Sequence, residues 1–383
     1  MSSEAIWGVS QLGELAEDWK KTWKPSESEA HSVDHYSIPA FDQGMQPSRD
    51  RPVDIKSNKR VVAPDAVLLS RLNPSTPRVW APTLNPERES VCSTEMMVLR
   101  PLGGVDRGYL HYLCWSPHVS AALLERVSGT TGSHQRISPR DVLSLNVPVP
   151  PIEEQRAIAE VLGALDDRIE WCALTSGLAL DMSDALWGRA VASDGEEVLL
   201  GGVVSFLNRR RIPLSARERE ARPGPFPYYG ATGVFGYVDD FLFDGNYVLV
   251  GEDGSVVNDD GTAVVQYATG RFWVNNHAHV LESERFTAEE LFLALRRTVV
   301  TGYVTGAAQP KLSMGRLKQV PLRVPSAAAV DGLRQAVAAL FARHRAAAAE
   351  AASLRDVRDA LLPRLLSGEV RIEDPERVLG AVG

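Results

Sequence analysis

The sequence predicts an α+β protein: two mixed α/β units, each followed by a long helix, with the two helices forming an antiparallel coiled coil. Three observations predict this. A segment near residue 131 recurs near residue 305. A long stretch with apolar residues every three or four positions follows each copy, the helical period. Between them, short aromatic and aliphatic runs alternate with Gly and Asp, the mark of short strands joined by tight turns.

The repeat aligns TGSHQRISPRDVLSLNVPVPP (131–151) with TGAAQPKLSMGRLKQVPLRVPS (305–326), setting Gly132 on Gly306, Gln135 on Gln309, Arg136 on Lys311 and Ser138 on Ser313. VCSTEMMVLRP (91–101) similarly matches WVNNHAHVLES (273–283). A period this long is a domain duplication rather than a solenoid. The chain of 383 residues then divides into a first unit at 1–150, a central helix at 151–195, a second unit at 196–325, and a C-terminal helix with a short tail at 326–383.

In the first unit, APDAVLLSRLNP (63–74) predicts a strand and residues 106–125 a helix. In the second, TAEELFLALRRTV (287–299) predicts a helix. The central helix opens after Pro150 and Pro151, with Glu153 and Glu154 where the helix dipole favours carboxylates. Its apolar stripe runs Ile158, Leu162, Leu165, Ile169, Cys172, Ala179 and Leu186, interrupted by Ser176 and Ser183. The C-terminal helix carries Val330, Leu333, Val337, Leu340, His344, Ala347, Ala351, Leu354, Leu361 and Leu365, with Pro363 near its end and Gly368 as its stop. Two such stripes are buried most economically against each other. The small run Ala346–Ala349 offers little area for holding a helix on a broad domain face.

Composition excludes several classes. No apolar run reaches the roughly 18 residues of a membrane span, and the N-terminus has no signal-peptide pattern. The three scattered cysteines make neither a disulfide framework nor a Cys-rich zinc site, and a cytoplasmic location is expected. The net charge of −8 is concentrated in residues 151–195, which hold 9 acidic against 3 basic residues. The two large units are near neutral, so each is free to present a basic face to DNA. The acidic segment suggests a protein partner.

No catalytic signature is present. The sequence lacks GxxxxGK[ST], HExxH and G-x-S-x-G motifs, and the glycine-rich loop with an (N/D)PP(Y/F) clamp that an amino-methyltransferase needs. PVDIK (52–56) lacks the spaced acid of a nuclease, and GEDGSVVNDDG (251–261) lacks calcium-loop spacing and reads as two turns. His277 and His279, two apart on a strand, share a face but have no further ligand types nearby. What remains is polar and planar equipment on turns. In the repeated TG loop, Gln135 and Gln309 offer base-reading amides, while Arg136 and Lys311 offer phosphate anchors. Tyr228 and Tyr229, Asn276, and Arg210 within the Arg209–Arg211 triplet are further DNA-contact candidates. No catalytic, cofactor-binding or metal-binding residue is expected.

VPVPPIEEQRAIAEVLGALDDRIE (147–170) and RDALLPRLLSGEVRI (358–372) resemble the conserved regions of the specificity (S) subunits of type I restriction–modification systems. FPYYGATGVFGYVDDF, YVLVGEDGS and FWVNNHAHVL are similar to that family's target-recognition domains. At 325–335, PSAAAVDGLRQ departs from the family's P-P-x-x-E-Q. The resemblance implies a non-catalytic reader of an asymmetric, two-part site in double-stranded DNA. It would dock two methyltransferase (M) subunits and restriction/translocase (R) subunits, with S-adenosylmethionine and ATP belonging to those partners and no cofactor in this chain. The competing expectation is a coiled-coil scaffold whose two globular units bind proteins rather than DNA.

Overall fold

The computed structural model describes residues 7–127, 135–306 and 309–372, together with Gly380. Two long helices, Ile152–Asp194 and Ala327–Ser367, dominate it. Each is about 60 Å long at about 1.5 Å per residue. The chain forms two compact units, one from residues 1–171 and 350–383, the other from residues 172–349. The compact bodies therefore do not end where the helices start, because each takes one half of each helix.

In the first unit, Gly8–Gln11 pairs antiparallel with Asn146–Val149, just before the central helix. A four-stranded sheet follows in the spatial order Ala16–Asp18, Met96–Pro101, Val67–Ser70, Val79–Trp80. A second, five-stranded sheet has Thr22–Trp23 at one edge, then Lys59–Val61, Ser90–Cys92, Val33–Tyr36 and Ser48–Asp50. The second unit repeats the plan. Gly195–Leu199 pairs with Pro321–Pro325, and Ser205–Phe206, Ala278–Glu282, Tyr247–Gly251 and Val265–Ala268 form a four-stranded sheet of the same order. Its other sheet orders Val234–Val238, Phe226–Tyr229, Arg271–Val274 and Phe243–Asp244.

The expected strand at 63–74 is Val67–Ser70, all buried. The helix expected at 287–299 is Ala288–Arg296, capped by Thr287 with Glu290 reaching back to it. The helix expected at 106–125 is instead two, Arg107–Trp115 and Pro117–Leu124. Pro117 has no N–H to continue the first helix, and the Ser116 hydroxyl accepts from Val119 N–H to start the second.

The helix halves run antiparallel within each unit. In the first, Arg168 lies 2.7 Å from Glu350, and Arg358 lies 2.7 Å from Asp166 while its guanidinium sits over the Trp115 ring. In the second, the Ser176 hydroxyl meets His344 Nδ1 at 2.9 Å, and Ser326 bonds Asp194. Ser183, the other interruption of the stripe, returns its hydroxyl to the Ala179 carbonyl. The helix pair also packs on each unit's own sheet and helices. Leu162, Leu165, Leu362, Leu365 and Leu366 join one core with Met97, Leu99, Tyr109 and Leu113. Trp187, Val330, Val337 and Phe341 join the other with Val248, Leu281, Leu291 and Leu295. The buried arc is thus wider than a two-helix seam. Trp187 and Phe341 are fully buried, whereas the expected Leu186 and Leu340 are only half-buried beside them. The C-terminal helix continues past Pro363 and ends at Gly368, whose φ is 77°.

The two helix starts differ chemically. Gln155 is buried, with its Oε1 accepting from Asp106 N–H and its Nε2 donating to the Pro150 carbonyl. In the second unit Pro325 aligns with Pro150, and the residue at the same distance from it is Val330, packed in the apolar core. A hydrogen-bonded clamp is replaced there by apolar burial, so the helix survives the departure at 325–335.

Asp166 is the hub of the first unit's helix contacts, because it also accepts from the Tyr112 hydroxyl at 2.7 Å. Asp166→Ala should destabilise the protein by about 1–3 kcal/mol, since it strands the buried Tyr112 phenol and leaves the largely buried Arg358 guanidinium with Asp359 alone. Chemical denaturation checks this, and an unchanged midpoint would contradict it.

Candidate nucleic-acid interface

Three turns of the second unit are laced together by main-chain hydrogen bonds. Thr305 and Lys311 exchange N–H···O bonds of 2.9 and 2.7 Å, closing the TG loop. Gly306 has a φ of 88°, and a Cβ there would lie 2.4 Å from the Gln309 carbonyl oxygen, so only glycine fits. The Pro310 carbonyl accepts from Gly254 N–H, and Leu312 N–H donates to the Glu252 carbonyl. Glu252 N–H in turn donates to the His277 carbonyl, and Asn275 N–H to that of Tyr229.

The first unit repeats this lacing. Asn73 N–H donates to the Gln135 carbonyl, Ile137 N–H to that of Arg71, and Arg71 N–H to that of Glu95. Arg136 therefore stands where Lys311 does, as the repeat predicts. Gln135 takes the place of Pro310, leaving Gln309 one residue further out than the sequence alignment implies. Gly132 lies outside the described residues.

Although the backbone is repeated, the side chains differ. In the second unit Lys311 lies 2.9 Å from Asp253 and 3.8 Å from Glu252, while Arg211 lies 2.8 Å from Glu252 and also donates to the Ala278 carbonyl. Hydrogen bonding to Asp253 raises the Lys311 ammonium above its ordinary value, keeping it charged. In the first unit Arg136 lies 2.8 Å from Glu95, with Arg71 3.6 Å away. An arginine, Arg71, thus occupies the position of Glu252, and Glu95 that of His277. Each cluster holds carboxylates between cations, which fixes the long side chains before any ligand arrives. Glu252, Asp253, Arg71 and Glu95 were not singled out from the sequence, whereas Arg211 belongs to the basic triplet noted there. The aligned 91–101 and 273–283 segments held the clue to Glu95 and His277, whereas the pairing of 251–254 with the TG loop is tertiary.

Gln309 and Asn276 are exposed, and among the described residues neither side chain makes a hydrogen bond. Arg210 is exposed, with its guanidinium over the Phe243 ring and one bond to the Leu242 carbonyl. Tyr229 is half-buried against Phe272, and burial raises its phenol's pKa. Tyr228 corrects an expectation. It is 1% exposed, and its hydroxyl accepts from Leu214 N–H and donates to the Leu214 carbonyl. Strand alternation turns it inward, beside Val238 and Trp273, so it cannot touch DNA. The two histidines also part, because His277 sits in the turn and His279 inside the sheet. His279 Nε2 donates to the Leu312 carbonyl while Nδ1 accepts from Asn208, and burial holds its pKa low. Among the described residues no cluster of His, Cys, Asp or Glu could hold a metal ion, and no helix is long and apolar enough to cross a membrane.

The fold is a duplicated α+β unit with a laced, charged turn cluster in each copy, joined to two paired helices. Residues 6–174 and 192–338 both match the type I restriction modification DNA specificity domain, so the chain belongs to that family. The family is one of specificity subunits, which are not themselves catalytic. A Haemophilus influenzae protein named as a type I restriction enzyme specificity subunit is 32% identical over 127 residues, covering 33% of this chain and 32% of that one. The match thus spans about a third of that relative's length. The MjaIX specificity subunit of Methanocaldococcus jannaschii is 24% identical over 312 residues, covering 72% of this chain and 71% of that one. The crystal structure of a type I restriction–modification S subunit from M. genitalium shares the fold, with a TM-score of 0.60 at 18% identity over 96% of this chain and 97% of that one.

Tyr228→Phe should cost about 1 kcal/mol of stability, through loss of the Leu214 bonds, and leave sequence discrimination unchanged. Thermal unfolding together with a DNA-binding competition would test this. A shifted base preference would return Tyr228 to the interface.

Proposed function

We propose that this chain is the DNA-reading subunit of a type I restriction–modification complex, each turn cluster reading one half of an asymmetric, interrupted site in double-stranded DNA. The reading is carried by the duplicated turn cluster, which has one backbone frame and two different sets of reading side chains. On that frame Gln309, Gln135 and Asn276 offer amides suited to adenine edges, and Lys311, Arg136 and Arg210 offer phosphate anchors. Carboxylates repel phosphate but accept from the amino group of cytosine, so Glu252 and Asp253 suit base edges rather than the DNA backbone. Tyr229, half-buried, has at most an edge to offer.

The central helix is the proposed docking site for two methyltransferase subunits, with restriction/translocase subunits joining the assembly. S-adenosylmethionine and ATP are assigned to those partners, in the cytoplasm. In support, Leu174, Leu178 and Met182 are each more than half exposed and lie at helical spacing on one face of the helix, amid its acidic residues. Such a face on a helix that already has a partner suits a further protein surface.

The test starts from a methylation map of cells carrying the chain with its partners, which gives the duplex to use. Gln309→Ala should then cost about 1–3 kcal/mol on that duplex and relax one base position. Lys311→Ala should weaken binding to all sequences and lower the slope of log affinity against log salt by about one. Equal, sequence-independent effects from both would reduce Gln309 to a loop-shaping residue. For the helix face, Leu178→Asp should abolish co-purification of the methyltransferase subunit while the chain keeps its own DNA affinity. Undiminished co-purification would reject that face.

A further inference from the structure

The first unit holds a cationic groove that the repeat did not reveal. Antiparallel pairing of Thr22–Trp23 with Lys59–Val61 sets Thr22 opposite Arg60 and Trp23 opposite Lys59. Two lysine-rich segments, WKKTWK (19–24) and IKSNKR (55–60), thereby meet at one sheet edge. Between them opens a groove of about 380 Å³ lined by Lys20, Asn58, Lys59, Arg60, Arg71 and Thr94, among others. It contains four cations against a single carboxylate, Asp18, which is already paired with Arg60 at 2.8 Å. Lys20 makes no hydrogen bond or ion pair among the described residues, and the only one made by the Lys59 ammonium is to the Ser57 hydroxyl. Such charges suit an anionic partner.

Two observations favour DNA as that partner. The groove is continuous with the turn cluster, because Arg71 belongs to both and donates to the carbonyl of Thr94, which also lines the groove. The duplication also places cations at the same point of the second unit. Trp19 N–H donates to the Val98 carbonyl and Leu207 N–H to that of Val280, so Lys20, Lys21 and Thr22 fall where Asn208, Arg209 and Arg210 stand. Both units thus follow the same strand with exposed positive charge, although the residues do not align in sequence.

We propose that the Lys20–Lys59 groove carries the phosphate backbone of the duplex past the first unit's reading turns. This deepens the DNA-reading assignment, on which it rests, and adds contacts that hold DNA without choosing its sequence. Each lysine that meets a phosphate releases condensed counterions and contributes about 0.9 to the salt slope.

The experiment uses the full chain assembled with its partner subunits, titrated across salt on the mapped duplex and on a scrambled one. Lys20→Gln combined with Lys59→Gln should lower the log–log slope by about two and weaken both duplexes by the same factor, with the methylation map unchanged. Lys20→Arg with Lys59→Arg should keep the slope. Lys24→Gln, whose lysine is paired with Glu27 at 2.6 Å and lies outside the groove, should leave it unaltered. A slope unchanged in the double glutamine variant overturns the groove, as does an equal fall in Lys24→Gln or a loss confined to the mapped duplex. A flat salt response of the unaltered complex would instead remove the DNA-reading assignment itself.

Discussion

A long helix with one apolar stripe cannot stand alone in water, and in this chain each unit's core depends on covering such stripes. The first unit is completed by Leu162 and Leu165 from one helix and by Leu362, Leu365 and Leu366 from the other. The second is completed by Trp187, Val337 and Phe341. A fully buried leucine contributes about 2 kcal/mol, so several such residues amount to much of a typical domain's net stability. The rest of the architecture follows, since within each unit the sheets anchored to the helices hold the turn cluster in place.

Within each unit the turns are fixed by main-chain bonds rather than by their side chains. The bonds from the Glu252 and Arg71 amides to the turn at His277 and Glu95 are the same in both copies, while the side chains on them differ in charge. That separation lets the side chains of the turns change without loss of the frame. It also explains why the repeat is faint in sequence, because the part held constant is backbone.

The fold class, the helices and the duplication were legible because periodicity and local turn chemistry report directly on them. Thr287 with Glu290 announces a helix start in any context. Tyr228 was misplaced because an aromatic beside glycines looks the same whether it faces solvent or core, and strand alternation decides only once the sheet is closed. Trp187 and Phe341 were passed over because a narrow seam was expected where the helices also pack on the unit's own sheet and helix. The Glu252–Lys311 and Asp18–Arg60 pairings join residues 59 and 42 positions apart. Spacing along the chain carries no trace of such pairs.

The way the units share the helices also orders events during synthesis. The second unit is one continuous stretch, 172–349, and has all its core residues once that stretch has emerged. The first unit, begun earlier in the chain, lacks Leu362, Leu365 and Leu366 until the helix at 327–367 is made. Its Trp7 likewise waits for Arg371, whose guanidinium lies 4.7 Å from the indole ring centre. Of the two units, the one begun first is therefore the last to close. Until then it presents an open apolar face in the crowded space beside the ribosome, the kind of surface that invites misassembly.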